Sequence, residues 1–325
     1  MSDIKLFRLS AGQATELQGN ASDLERPLQT LIEANLKPLL NIRFMASEYS
    51  TGKTHGGRID SLGLDENDCP VILEYKRSVG ENVINQGLFY LDWLMDHKAE
   101  FKLLVLDKLG AAVADAIDWS APRVVCIAAD FTKYDGHAVQ QIGRNIELIR
   151  YRRFGDDLLL LESANAGGDS MAKAMPSRQP KTPSAVPTTS APAGVFGVAT
   201  NGKTTGPDKS FAELLVDLPE PTRQLFDSLA DYTLSLGDDV QRKDLRLYAA
   251  FKRLKNFATV VLHKKNCLIL YLHVNPATAV AVLPKARDLT NIGHWGTGNL
   301  EVTISSMADL DAAKPFINAA YEGRA

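Results

Sequence analysis

The chain has 325 residues, of which 45% are hydrophobic, 23% charged and 7% aromatic, the profile of a globular protein of about two domains. No run approaches the roughly 18 to 20 apolar residues of a membrane-spanning helix, and MSDIKLFRLS at the start lacks the apolar core of a secretory leader, so a cytoplasmic protein without membrane contact is expected. The formal charge is −3, and Cys69, Cys126 and Cys267 are too few and too far apart for a disulfide framework or a four-cysteine zinc site.

Leu24, Leu28, Leu31, Ile32 and Leu36 recur at helical spacing. Ser22-Asp-Leu-Glu25 has the form of a capping box, whereas Pro27 favours a start nearer itself. Residues 58–64 and 71–77 are short strand-like runs joined by Asp65-Glu-Asn-Asp-Cys-Pro70, a dense turn signal, which predicts a hairpin. Ile84, Leu88, Leu91 and Met95 mark one face of a following helix, which also carries Gln86, Tyr90 and Trp93. The continuous apolar runs 101–106 and 124–129 suit strands buried on both faces. Residues 1–163 therefore read as an α/β domain with a mixed sheet flanked by helices.

Residues 164–207 hold six of the fifteen prolines among Ser, Thr, Ala and Gly and read as a disordered linker. Gly197 to Thr204 matches the phosphate-loop pattern G-x-x-x-x-G-K-T, but Ala191-Pro-Ala before it and Gly206-Pro207 after it supply neither strand nor helix, so coincidence is the better reading. Residues 208–325 read as a smaller α+β domain. Its helical start breaks at Leu218-Pro-Glu-Pro221, strands follow near 247–253, 258–263, 268–273 and 301–305, and a helix covers 307–321.

The hairpin carries the chemistry. Residues two apart on a strand share a face, so Glu74 and Lys76 project together while Leu73 and Tyr75 face the other way, and pairing brings Asp60 towards Glu74. Two carboxylates and a lysine on one patch suit a hard divalent cation, Mg²⁺ or Mn²⁺, and phosphodiester hydrolysis. A solvated hairpin edge carrying surface charges is the competing reading. A second Glu-x-Lys, Glu100-Phe-Lys102, has no acid-bearing hairpin before it. The scattered His55, His97 and His137 form no zinc motif, and no G-x-S-x-G nucleophile pattern occurs.

Gly57-Arg-Ile-Asp60, Val71-Ile-Leu-Glu74-Tyr-Lys76-Arg77 and Gln86-Gly-Leu-Phe-Tyr90-Leu-Asp-Trp93, in that order, resemble the PD-(D/E)XK nuclease superfamily, and within it the catalytic domain of the NucS-type endonucleases, over about residues 24–105. The resemblance implies that Asp60 and Glu74 are metal ligands, Lys76 the catalytic lysine and Gln86 the helix residue that closes the site. It also implies an acid from the first helix, with Glu33 the first candidate and Glu25 the second, and contacts from Arg58 and Arg77 to nucleic acid. Tyr75 stands where that pattern has an aliphatic residue, on the face away from the metal.

Residues 242–265 contain Arg242, Lys243, Arg246, Lys252, Arg253, Lys255, Lys264 and Lys265 against Asp244 alone, a net +7, with Tyr248, Phe251 and Phe257 interleaved. Such a stretch binds nucleic acid through phosphate contacts and stacking, or forms a solvated sheet edge over an aromatic core. Arg144, Arg150, Arg152 and Arg153 leave the same two readings open. Leu247-Tyr-Ala-Ala-Phe-Lys-Arg253, Asn256-Phe-Ala258 and Gly293-His-Trp-Gly-Thr-Gly298 resemble a small domain often attached to nucleases and sometimes labelled a predicted transport protein; it could also dock a protein partner. The reading is a Mg²⁺-dependent DNA endonuclease in repair or in defence against foreign DNA, with a homodimer expected where both strands are cut. The alternatives are a non-catalytic nucleic-acid-binding or regulatory protein of the same fold, and a protein-interaction module.

Overall fold

Apolar residues recur every second position in some segments and every third or fourth in others, and strands and helices alternate along the chain accordingly. The computed structural model describes residues 4–20, 25–76, 83–164, 210–263, 267–290, 292 and 296–323. The first domain opens with the hairpin β1 (Leu6–Ser10) and β2 (Gln13–Leu17), then β3 (Gly19–Asn20), α1 (Glu25–Ala34), α2 (Leu36–Leu40), β4 (Arg43–Ser50), α3 (Gly52–His55), β5 (Arg58–Leu64) and β6 (Pro70–Lys76). It continues through α4 (Val83–Asp96), α5 (Lys98–Leu109), α6 (Ala111–Ala116), β7 (Arg123–Ala128), α7 (Lys133–Gln141), β8 (Asn145–Phe154) and β9 (Leu158–Ser163). The sheet order is β3-β8-β7-β6-β5-β4, with β9 also on β8. Strands β6, β7 and β8 run parallel and the other pairs antiparallel, so the sheet is mixed, as the sequence predicts.

The central strands are apolar on both faces because helices cover both. Val71, Leu73, Tyr75, Val125 and Ile127 pack against Leu28, Ile32, Leu36 and Leu40 of α1 and α2. On the other side, Ile72, Val124 and Cys126 meet Ile84, Leu91 and Leu94 of α4. The run 101–106, expected as a strand, lies inside α5, where Phe101 and Val105, four apart, are buried while Leu103 and Leu106 are 65% and 44% exposed. A continuous apolar run fits either element, and the strong helix formers of Lys98–Leu109 decide it.

The second domain comprises α8 (Phe211–Val216), α9 (Glu220–Leu234), β10 (Gln241–Asp244), β11 (Ala249–Lys252), β12 (Asn256–His263), β13 (Cys267–Leu272), α10 (Pro276–Val280), β14 (Ala286–Asp288), β15 (Leu300–Ile304) and α11 (Met307–Tyr321). Its antiparallel sheet, β10-β11-β12-β13-β15-β14, packs Val260, Leu270 and Val302 against Phe211, Phe226, Leu229 and Ile317 of the helices. Ser210 and Glu213 form a reciprocal capping box that starts α8. The linker expected at 164–207 and its G-x-x-x-x-G-K-T run lie outside the described residues save for Ala164. Residues 22–24 of the capping-box motif and 293–295 of the Gly-His-Trp run lie outside them too.

Gly87 lets α4 lie directly on β7, because a Cβ there would collide with Val124 Cγ1. Gly87→Ala is therefore expected to lower unfolding free energy by about 1–3 kcal/mol although alanine favours a helix by about 1 kcal/mol. Urea unfolding checks this, and adding Val124→Ala should recover part of the loss.

Candidate metal-binding and catalytic site

The β5–β6 register, Leu62 opposite Ile72 and Ser61 opposite Leu73, ends one residue short of Asp60 and Glu74. At that point the backbone ladder stops and the two carboxylates take over its hydrogen bonds. Asp60 N donates to Glu74 Oε1 at 3.3 Å, and Tyr75 N donates to Asp60 Oδ2 at 3.0 Å. The strands therefore part around a pair of acids near the carboxyl end of β6, the end at which α/β sheets form their sites.

Glu74 is 0% exposed, and its Oε2 is buried with no hydrogen-bond partner. Burial first, and then the adjacent Asp60 charge, push its carboxyl up to about 9, so it is protonated at neutral pH. An unpartnered buried carboxylate oxygen beside a second carboxylate fits a hard divalent cation, which would supply both the missing contact and the missing positive charge. Lys76 lies on the Glu74 side of β6, half-buried, and its charge partly opposes the rise at Glu74.

Gln86 on α4 reaches Tyr90 Oη at 3.4 Å, and Tyr90 Oη accepts from Arg58 N at 3.2 Å. Gly57 permits this, since a Cβ there would stand 2.6 Å from Tyr90 Cε1. The structure thus ties Gln86 to the start of β5 through Tyr90. Glu33 is held elsewhere: its Oε1 accepts from Ser61 Oγ at 2.6 Å and Gln29 Nε2 at 3.1 Å. Ser61 alternates with Asp60 along β5, so this contact draws Glu33 to the other face of the hairpin. Among the described residues no three His, Cys, Asp or Glu side chains gather as a metal cluster, and the Glu25 side chain lies outside those residues.

Two residues that the sequence did not single out belong to this neighbourhood. Gln29, 7% exposed, donates to Asp60 O at 2.9 Å and to Glu48 Oε1 at 3.3 Å. Glu48 has φ +52° within β4, a left-handed backbone costly for any residue with a Cβ, and its Oε2 is 3.1 Å from Arg58 Nη1. The i, i+4 spacing of Gln29 and Glu33 was the one visible signal.

Among the described residues, several cations of the basic stretch in the second domain are engaged by groups of the protein itself. Lys252 is 3% exposed, with Nζ 2.8 Å from Glu147 Oε1 of β8. Lys243 Nζ lies 2.8 Å from Asn145 Oδ1, and Lys255 Nζ 2.8 Å from Pro38 O, both in the first domain. Arg242 pairs with Asp244 and stacks on Phe226, Arg253 pairs with Asp239 and stacks on Tyr321, and Arg246 is exposed. The physical reason is desolvation: lysines folded between two domains need carboxylate or carbonyl partners there, which takes them from a phosphate backbone. Arg150 is likewise engaged, by Asp130 and Glu162. Arg77, Lys264 and Lys265 lie outside the described residues.

Residues 212–323 match a family described as a domain of unknown function, DUF5655. An uncharacterized protein of Haemophilus influenzae is 27% identical over 323 residues, which is 98% of this chain and the whole of that relative. Among solved structures, a repair endonuclease from Pyrococcus abyssi matches with a TM-score of 0.26 and 16% identity, over 40% of this chain and 49% of that one. An EndoMS–dsDNA complex matches with a TM-score of 0.23 and 16% identity, over 42% of this chain and 50% of that one. The chain thus spans about half the length of these structures. No helix of the described residues is long and apolar enough to cross a membrane.

In metal-free protein, a Glu74 carboxyl raised from 4.5 to about 9 keeps its proton when folded and loses it when unfolded, so its contribution to stability falls as pH rises between those values. Glu74→Gln removes that dependence. In chelator at pH 8, Glu74→Gln is expected to melt at least about 4 °C above the parent, the gap closing towards pH 4.5. Thermal melts across that pH range check it.

Proposed function

We propose that the chain is a metal-dependent endonuclease that hydrolyses phosphodiester bonds in DNA. The observation that carries the reading is the carboxylate pair at the parted end of the β5–β6 hairpin, with Glu74 Oε2 buried and unpartnered. Asp60 and Glu74 would hold Mg²⁺ or Mn²⁺. A bound divalent cation supplies Lewis-acid polarisation of a phosphate oxygen and relieves the repulsion between the two acids. Lys76, on the same face, orients the attacking water with its ammonium and steadies charge developing on the phosphate. Gln86 and Tyr90 fix the start of β5, and Gln29 fixes the Asp60 carbonyl, so that Asp60 keeps its place opposite Glu74. Arg58, exposed at the start of β5 and 3.1 Å from Glu48, would meet a backbone phosphate in exchange for that partner. A DNA repair or defence setting belongs to the proposal, as does a homodimer for cutting both strands.

One observation favours a second reading, a DNA-binding module that does not cut: the acid on the first helix, Glu33, is held by Ser61 instead of joining the pair. A panel of structured and modified DNAs, with Mg²⁺, Mn²⁺ or chelator, separates the two. The nuclease reading expects cation-dependent cleavage that falls at least about a hundredfold in Glu74→Ala and in Lys76→Ala. Full activity in purified Glu74→Ala protein sinks it. DNA retained in chelator, lost steeply with salt and never cleaved, establishes the second reading.

A further inference from the structure

The turn joining β5 to β6 is gripped from outside its own domain. Within the turn, Asp65 Oδ1 accepts from Asn67 N at 2.8 Å and Cys69 N at 2.9 Å. From the second domain, Tyr248 Oη donates to Asn67 Oδ1 at 2.9 Å, Asn256 N to Glu66 Oε1 at 3.0 Å and Asn256 Nδ2 to Asn67 Oδ1 at 2.8 Å. Beneath the turn, Arg123 joins Asp65 Oδ2 at 3.1 Å to Glu147 Oε2 at 2.7 Å, and Glu147 in turn holds Lys252.

The charged groups beneath the turn come from both domains. On the first domain, three buried carboxylates, Asp65, Glu66 and Glu147, surround a single guanidinium, Arg123. From the second domain, Lys252 pairs with Glu147, and Lys243, held by Asn145 Oδ1, lies close enough to favour the Glu147 charge while burial pushes its own ammonium down to about 8. Burial alone would raise the Glu147 carboxyl, but Arg123 and then Lys252 hold it well below the usual carboxylate range. Cys69 and Ala121 of the first domain pack with Leu245 and Ala250 of the second, closing an apolar patch beside the ions.

We propose that the second domain is a clamp on the catalytic hairpin: Tyr248, Lys252 and Asn256 position Asp60 and Glu74 by fixing the turn that joins their strands. The transmission is short and stiff. Between the turn and the acids lies only the ladder from Leu64–Pro70 to Ser61–Leu73, and a shift of the turn moves both strands against each other where the carboxylates must meet. The functional meaning rests on reading Asp60 and Glu74 as metal ligands; the mechanical claim does not.

The test uses the full chain and two probes, amide hydrogen exchange and Mn²⁺ binding. Lys252→Met removes the cross-domain charge, Lys252→Arg restores it, and Tyr248→Phe deletes one hydroxyl without touching charge or packing. In Lys252→Met, the amides of Asp60 and Tyr75 are expected to exchange about tenfold faster and Mn²⁺ to bind about tenfold more weakly, with Lys252→Arg within about twofold of the parent. Tyr248→Phe should shift the same two amides by about threefold, and it decides the matter should Lys252→Met fail to fold. The clamp is overturned if exchange quickens only in residues 65–69 and in the second domain while Asp60 and Tyr75 keep the parent's protection. A parent chain that binds no Mn²⁺ removes the metal reading of the pair, and the exchange comparison still decides the clamp.

Discussion

A guanidinium buried away from solvent must be surrounded by carboxylates, and Arg123 imposes that condition on both halves of the chain. It sits at the start of β7, between the β5–β6 turn and β8, so meeting its charge fixes how three segments of the first sheet come together. The acids around it outnumber it: Lys252 of the second domain pairs with one of them, Glu147, and burial raises the carboxyl of another, Glu66. Buried ion networks are costly to assemble and contribute little net stability over apolar packing, and this one draws its members from both domains. Its loosest point is Arg123 Nη2 and Glu66 Oε2, 3.9 Å apart, both buried and without hydrogen-bond partners.

The hairpin carries two opposed electrostatic settings at its two ends. At the turn, carboxylates are matched by guanidinium and ammonium groups and stay ionised where Glu147 is concerned. At the other end, Asp60 and Glu74 face each other and Glu74 holds its proton. Burial and the neighbouring Asp60 charge both favour the neutral form of Glu74, the reverse of what Arg123 and Lys252 do to Glu147 at the turn.

Much of this was legible along the chain. The Asp-Glu-Asn-Asp-Cys-Pro turn and the alternation in Val71-Ile-Leu-Glu-Tyr-Lys76 together implied the register that sets Asp60 against Glu74, because a hairpin's turn determines which residues face each other. The run 101–106 was not legible, since an apolar stretch of that length satisfies either period. Gln29 and Glu48 escaped notice because their importance depends on β4 lying beside β5 and on α1 crossing both, contacts that local pattern does not contain. Where the cations of residues 242–265 point was not legible for a related reason. A count along the chain ignores direction, and Lys243, Lys252 and Lys255 turn towards the neighbouring domain.

The three thiols occupy three different mechanical settings. Cys126 lies in the parallel core strand opposite Glu74, Cys69 in the gripped turn against Leu245 and Ala250, and Cys267 in the second sheet, and each is buried. Burial pushes the thiols of Cys69 and Cys126 well up, so neither forms a nucleophilic thiolate in the folded chain. Each of these two therefore stays silent until its own surroundings open. Cys69 answers to the parting of the two domains and Cys126 to loss of the central strands.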